Sequence, residues 1–127
     1  MRDRRVLVVF EARPSARRAL AAAVALDAPL TVVAVAPRDV RSARETAVRE
    51  AAEDELREAR AALGQGAVGA SFVVLRIRRE HELGEWAAGA GHTTALLGAR
   101  RALLGLRPRD LRARSLARAG LEVQIVR

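Results

Sequence analysis

The stretch Val6-Leu7-Val8-Val9-Phe10-Glu11 decides the fold of this chain. An apolar run without polar alternation predicts a strand buried on both faces, which is typical of parallel sheets covered by helices. The short turn that follows leads to Ser15, a suitable N-cap residue, and then to apolar residues at helical spacing. A strand, a turn and a helix in this order predict the opening of an α/β fold.

The same alternation continues to the end of the chain. Further strands are predicted at Leu30–Ala36, Ser71–Ile77, Thr93–Leu97 and Leu121–Val126, and further helices at Ser42–Leu63, from about Glu80, and from Pro108 to Gly120. Because crossovers between parallel strands are right-handed, we expect one domain over residues 1–127 with an open, parallel five-stranded sheet. The predicted strand order is 3-2-1-4-5, with helices on both faces, as in Rossmann-like folds.

The composition excludes several kinds of chemistry. All 23 basic residues are arginine, against 15 acidic residues, and the net charge is +8. The absence of lysine excludes a Schiff base and a P-loop lysine, and the absence of cysteine excludes disulfides and thiolate chemistry. No stretch approaches the roughly 20 apolar residues of a membrane span, so we expect a soluble, cytoplasmic protein without a membrane partner.

A basic protein attracts nucleic acid by long-range electrostatics. However, the chain holds only two phenylalanines and one tryptophan, too few for a platform on which bases would stack. Specific binding of nucleic acid is therefore not expected, although a basic nucleic-acid-associated protein stays an alternative.

No residue pattern indicates catalysis or a metal site. The stretch from Gly64 to Gly69 spells G-x-G-x-x-G, but it follows a predicted helix and precedes a predicted strand, so we expect a turn. His81 and His92 each lack a second ligand at suitable spacing and are predicted to be surface residues. No serine lies in a nucleophile elbow, and we do not expect an enzyme.

Glu11 is a candidate binding residue because of its place in the topology. It follows the first strand, and ligands of open parallel sheets lie beyond the carboxyl ends of the strands. Its carboxylate could accept a hydrogen bond from a ribose hydroxyl or a base amino group. The alternative is a solvated acid paired with Arg13 or Arg17.

The segment Gly98-Ala99-Arg100-Arg101 leaves the fourth strand beside the first one in the predicted order. A glycine there would let the backbone approach a ligand, and the two arginines would hold phosphate oxygens by charge-assisted hydrogen bonds. The alternative is a basic turn without a ligand.

Taken together, these elements resemble the universal stress protein family. The stretch from Val6 to Arg13 is similar to the family's opening V-L-V-x-V-D-x-S, with Glu11 in place of the aspartate. Val35-Ala36-Pro37 is similar to the strand end that packs on adenine, and Thr94–Gly98 resembles the strand D-L-I-V-V-G. The resemblance implies a fold like that of the adenine nucleotide alpha hydrolases. Topology and resemblance give six candidate ligand-binding residues: Glu11, Ala12, Ala36, Gly98, Arg100 and Arg101.

ATP-binding members of the family carry G-x-x-G-x(9)-G-[ST] after the fourth strand. If this motif starts at Gly98, Arg101, Leu111 and Arg112 stand where the later glycines and the hydroxyl belong. The resemblance therefore implies a member that has lost ATP or AMP as a cofactor, or that binds something different. The first hypothesis is a non-enzymatic module that acts through protein partners. The alternative is a nucleotide or acidic-metabolite binder, with slow phosphohydrolase activity.

The pattern of the last strand indicates assembly with a second copy of the chain. It is expected at the sheet edge, where its unpaired backbone groups invite pairing with another chain, and Leu121, Val123 and Ile125 share one face. Because many universal stress proteins dimerise through their closing strand, the resemblance implies a homodimer with these three residues at the interface.

Overall fold

The computed structural model describes residues 3–38, 42–100 and 110–127. The described part alternates strands and helices in the order β1 (Val6–Val9), α1 (Pro14–Ala25), β2 (Leu30–Pro37), α2 (Ser42–Leu63), β3 (Ser71–Ile77), α3 (His81–Gly89), β4 (Thr94–Gly98), α4 (Leu111–Arg118) and β5 (Glu122–Val126). None of these helices combines the length and the apolar character needed to cross a membrane.

The five strands form one parallel sheet in the order β3-β2-β1-β4-β5, which confirms the predicted order. β1 lies at the centre, with Val6 opposite Leu30 on one side and Thr94 on the other. All four residues of β1 are buried, as the uninterrupted apolar run predicts. β3 and β5 are the two edges of the sheet.

The core consists of two layers, one on each face of the sheet. Val6 and Val8 pack with residues of α1 and α2, whereas Leu7 and Val9 pack with residues of α3 and α4. Alternate residues of a strand point to opposite faces, so the short apolar run of β1 supplies both layers. Helices therefore cover both faces of the sheet, as predicted.

The N-terminus of α1 differs from the prediction. Arg13 occupies the N-cap position and Pro14 is the first helical residue, where the fixed φ of proline suits a helix start. Ser15 lies inside the first turn, and its hydroxyl donates a hydrogen bond to the carbonyl oxygen of Ala99 (2.8 Å). The predicted N-cap role of Ser15 is wrong, because the side chain connects α1 to the segment after β4.

The start of α4 also differs from the prediction. Asp110 has an extended backbone (ψ 91°), and its carboxylate accepts a hydrogen bond from the N–H of Ala113 (3.0 Å). The described helix therefore begins at Leu111, and Pro108 lies outside the described residues.

The glycine-rich segment is the connection between α2 and β3. Residues Gly64–Ala67 form a 3₁₀ turn, and Gly64 (φ 56°) and Gly69 (φ 83°) adopt left-handed conformations that favour glycine. The prediction of a turn in place of a dinucleotide-binding loop is confirmed.

Candidate ligand-binding site

Glu11 lies half-buried at the carboxyl edge of the sheet, directly after Phe10, and three arginines converge on it. Arg13 pairs with Glu11 Oε2, whereas Arg112 and Arg100 donate to Oε1, the latter from Nη2 at 3.3 Å. We call these four residues the Glu11 cluster. The sequence analysis gave a pair with Arg13 or Arg17 as the alternative to ligand binding; Arg13 does pair with Glu11, whereas Arg17 pairs with Glu58.

The three arginines come from three connections that meet at one sheet edge. Arg13 occupies the N-cap position of α1, Arg100 follows β4, and Arg112 lies in the first turn of α4. Arg112 is 101 residues from Glu11 in the chain, so periodicity could not connect them. One signal was available in the sequence, because Arg112 stands where the family motif places a hydroxyl beside phosphate.

The cluster keeps its positive charges close together and partly away from water. The Arg112 side chain is only 17% exposed, and its Nε has no hydrogen-bond partner among the described residues. Burial lowers the pKa of Arg112, although Glu80 opposes this effect. The pKa of Arg13 is lowered by burial and then by the like charges of Arg100 and Arg112. Arginine stays protonated in proteins. These shifts therefore mean that the charged guanidinium groups of Arg13 and Arg112 are less favourable in the folded protein than in water.

Three further carboxylates surround the cluster without forming an ion pair with its arginines. Asp110 caps α4, and burial raises the pKa of Glu55 despite the nearby Arg112. Glu80 has a buried Oε2 without a hydrogen-bond partner in the described part of the chain. Within the described residues, Glu11 is therefore the one acid that pairs directly with all three arginines.

The crevice beside the cluster is almost filled. The described residues around it leave a cavity of about 10 Å³, which is room for one water at most. Sites for small ligands typically measure about 300–1,000 Å³. With Glu11 and its arginines in this arrangement, this crevice is too small for a nucleotide.

Gly98 lies against the N-terminus of α1. A Cβ atom at this position would lie 2.4 Å from the backbone N of Ala16 and 2.6 Å from Ser15 Oγ. The sequence assigned this glycine to the approach of a ligand. In the structure its missing side chain lets α1 pack against the end of β4.

The other predicted ligand residues are dispersed. Ala36 is buried under α2 together with Ala34 and Ala52, and Ala12 is exposed in the turn after β1. Neither lines the crevice. Arg101 lies outside the described residues. Of the six candidates, the structure brings together Glu11, Gly98 and Arg100.

The residues predicted for a dimer interface differ in exposure. Leu121 precedes β5 and is buried in the core of its own chain, Val123 is half-buried, and Ile125 is 46% exposed. The side chain of Leu121 is thus not available to a partner. The backbone of β5 pairs with β4 on one side, and its other side is an edge of the sheet.

His92 is buried, contrary to the prediction of a surface residue. Its ring packs beside Trp86 (5.5 Å between centroids), and Nδ1 donates to the carbonyl oxygen of Ala87 (3.1 Å). Burial lowers the pKa of His92 below 6.5, with a smaller contribution from Arg5. The sequence missed this because one histidine after a helix carries no burial signal. In the described ranges, no group of three or more histidine or carboxylate side chains is placed to hold a metal.

Because His92 is buried, we expect the stability of the protein to depend on pH. Because its pKa is lower in the folded protein, the unfolded chain binds the proton more strongly, and the free energy of unfolding falls as the pH drops below about 6.5. One such group changes the free energy by at most about 1.4 kcal/mol per pH unit. Denaturation with urea at pH 7.5 and 5.0 should show a smaller acid loss in His92→Asn. His81→Asn, at an exposed position, is the control, and an equal acid loss in all three proteins would contradict the prediction.

α3 and α4 cross closely on the same side of the sheet. Ser115 Oγ accepts a hydrogen bond from the N–H of Gly84 (2.9 Å) and donates one to the carbonyl oxygen of Glu80 (2.6 Å). Beside this crossing lies a cleft of about 330 Å³, with charges of both signs and the half-exposed Leu111 in its wall. The sequence assigned nothing to this cleft.

No protein-family model and no curated protein sequence matches the chain. Solved structures do match it. A universal stress protein from Archaeoglobus fulgidus is 16% identical, with a TM-score of 0.79 and 98% of each chain covered. A protein of this family from Burkholderia pseudomallei is 20% identical, with a TM-score of 0.71 and 95% and 93% of the chains covered.

Two further neighbours are universal stress proteins solved with nucleotides. The Archaeoglobus fulgidus protein in complex with dAMP is 16% identical over the full length of both chains, with a TM-score of 0.70. A universal stress protein in complex with cAMP is 22% identical, covers 100% of this chain and 98% of its own, and has a TM-score of 0.56. At these identities the likeness concerns the fold. The strand order, the helices on both faces and these neighbours identify the chain as universal stress protein-like in its fold.

Proposed function

We propose that this protein is a non-enzymatic, dimeric module of the universal stress protein type that acts in a stress response through protein partners and does not bind ATP in the conventional way. The observation that carries the proposal is the Glu11 cluster, in which three arginines and one carboxylate fill the crevice at the carboxyl edge of the sheet.

Three features support the loss of conventional ATP binding. The crevice leaves about 10 Å³ between the described residues. The contact of Gly98 with α1 accounts for its missing side chain, so this glycine is not by itself a sign of a phosphate site. The bulky Leu111 and the charged Arg112 stand where the family motif has a glycine and a hydroxyl.

The backbone of β5 supports a dimer. The N–H of Glu122 donates to the carbonyl oxygen of Thr93, and the N–H of Ala99 donates to that of Val126. Because backbone groups alternate in direction along a strand, the N–H groups of Val123 and Ile125 point to the open edge. A twofold axis would pair this edge with its own copy, and Ile125 would be covered in the contact.

The alternative function is binding of a nucleotide or an acidic metabolite at the same crevice. It is favoured by the two structural neighbours that were solved with dAMP and with cAMP. A nucleotide would have to displace the Glu11 carboxylate from its arginines, so the two functions predict different affinities.

We expect ATP to bind no tighter than the millimolar range, or about −4 kcal/mol. Isothermal titration calorimetry in physiological salt would measure it, with adenosine and inorganic triphosphate as matched ligands that carry the two halves of ATP. A micromolar affinity that depends on the adenine base would overturn the proposed function and support the alternative.

A further inference from the structure

The Glu11 cluster holds more hydrogen-bond donors than its carboxylate can use. Each guanidinium carries five N–H donors, whereas a carboxylate offers about four acceptor sites. Arg112 contacts Glu11 through Nη1 alone, and its buried Nε has no partner among the described residues. An oxyanion with three or more oxygens would satisfy three guanidinium groups better than one carboxylate does.

The geometry points to a receptor for a small polyvalent oxyanion, formed by Arg13, Arg100 and Arg112, in which the Glu11 carboxylate takes the place of a phosphate monoester or diphosphate when none is bound. The three arginines converge from three separate connections on one point at the sheet edge. Glu11 then acts as an internal counter-ion that an incoming anion displaces.

The position of Glu11 allows such an exchange. Its side chain is 30% exposed, and it lies in the turn after β1, where the neighbouring Ala12 is also exposed. The carboxylate can therefore turn toward water without a change in the buried sheet. The positive charge of Arg112 would stay partly compensated during the exchange, because Glu80 lies close enough to favour the charged form of Arg112.

This inference rests on the proposed loss of conventional ATP binding and goes beyond it, because it assigns a ligand class to the crevice without any adenine contact. The ligand is recognised by its charge and by its oxygens, which would meet the three arginines in the place that the Glu11 carboxylate vacates. A phosphate group that belongs to a metabolite and inorganic phosphate present the same chemistry.

The test compares diphosphate binding to the wild type, Glu11→Gln and Glu58→Gln. Glu58 pairs with Arg17 outside the cluster, so its variant removes the same charge without opening the receptor. In calorimetry at constant ionic strength, we expect weak binding to the wild type and at least about tenfold tighter binding to Glu11→Gln. Glu58→Gln should bind like the wild type, and adding Arg112→Gln to Glu11→Gln should abolish the gain.

Thermal denaturation keeps the test informative if Glu11→Gln is unstable. Removing the counter-ion leaves three like charges together, so we expect a lower Tm that diphosphate restores and chloride at equal ionic strength does not. Phosphate and a phosphate monoester would be compared in the same way. Equal diphosphate responses in Glu11→Gln and Glu58→Gln would overturn the receptor. ATP binding that exceeds triphosphate binding would instead contradict the proposed function.

Discussion

Gly84→Ala is expected to destabilise the protein by about 3 kcal/mol and to lower its Tm by about 10 °C. A Cβ atom at residue 84 would lie 2.3 Å from the backbone oxygen of Ser115 and 2.9 Å from its carbonyl carbon. These are backbone atoms of α4, so the contact cannot be relieved by rotation of a side chain. The two helices would have to separate, which also weakens both hydrogen bonds of Ser115 Oγ.

Gly89→Ala is the matched control for Gly84→Ala. It makes the same substitution at the last residue of α3, where a Cβ atom would meet nothing within 4 Å. Since alanine favours a helix over glycine by up to about 1 kcal/mol, this variant should be as stable as the wild type or more stable. Thermal denaturation followed by circular dichroism measures both variants. Similar melting temperatures for the two would show that the α3–α4 crossing is less tight than the distances indicate.

Val123→Pro is expected to convert a dimer to monomers while the chain stays folded. The N–H of Val123 points to the open edge of β5. Proline at this position therefore removes a donor that a partner strand would use and leaves the pairing with β4 intact. Proline on an edge strand is tolerated for this reason. We expect the dimer to weaken by at least about 100-fold, or about 3 kcal/mol.

Gln124→Pro distinguishes loss of the dimer from loss of the fold. The N–H of Gln124 points inward to β4, so proline at this position should destabilise the sheet itself. Light scattering gives the mass at micromolar concentration, and circular dichroism reports folding. A wild type with the 13.7 kDa mass of one chain, or an unchanged dimer in Val123→Pro, would place the interface elsewhere or exclude it.

The strands could be predicted from the sequence because their signal is local. The uninterrupted apolar run at Val6–Val9 marks a strand buried on both faces, and the alternation of strands and helices then leaves few topologies. Helix ends were less predictable. Ser15 and Pro14 are both favoured at a helix start, and the contact of Ser15 with Ala99, far along the chain, decides between their roles.

The candidate site was predictable only in its location. Topology placed Glu11 and Arg100 at the same sheet edge, and the structure confirms that they meet. The ligand-binding role of Gly98 stays a prediction, because a close approach of α1 and a close approach of a ligand require the same small residue. Arg112 was missed as a partner of Glu11, since an ion pair between distant residues leaves no periodic pattern and only the family motif placed Arg112 near the crevice.

The central position of β1 has a consequence for folding kinetics. β1 reaches β2 by closing a short loop, with Val6 opposite Leu30, but the contact between Arg5 and Thr93 on its other side joins residues 88 apart. The longer closure costs about 1 kcal/mol more in chain entropy. We therefore expect β1, β2 and β3 to assemble before β4 arrives. Until then the apolar β1 has an unpaired edge. A nascent chain whose β4 has not yet emerged from the ribosome is therefore the species most prone to aggregate.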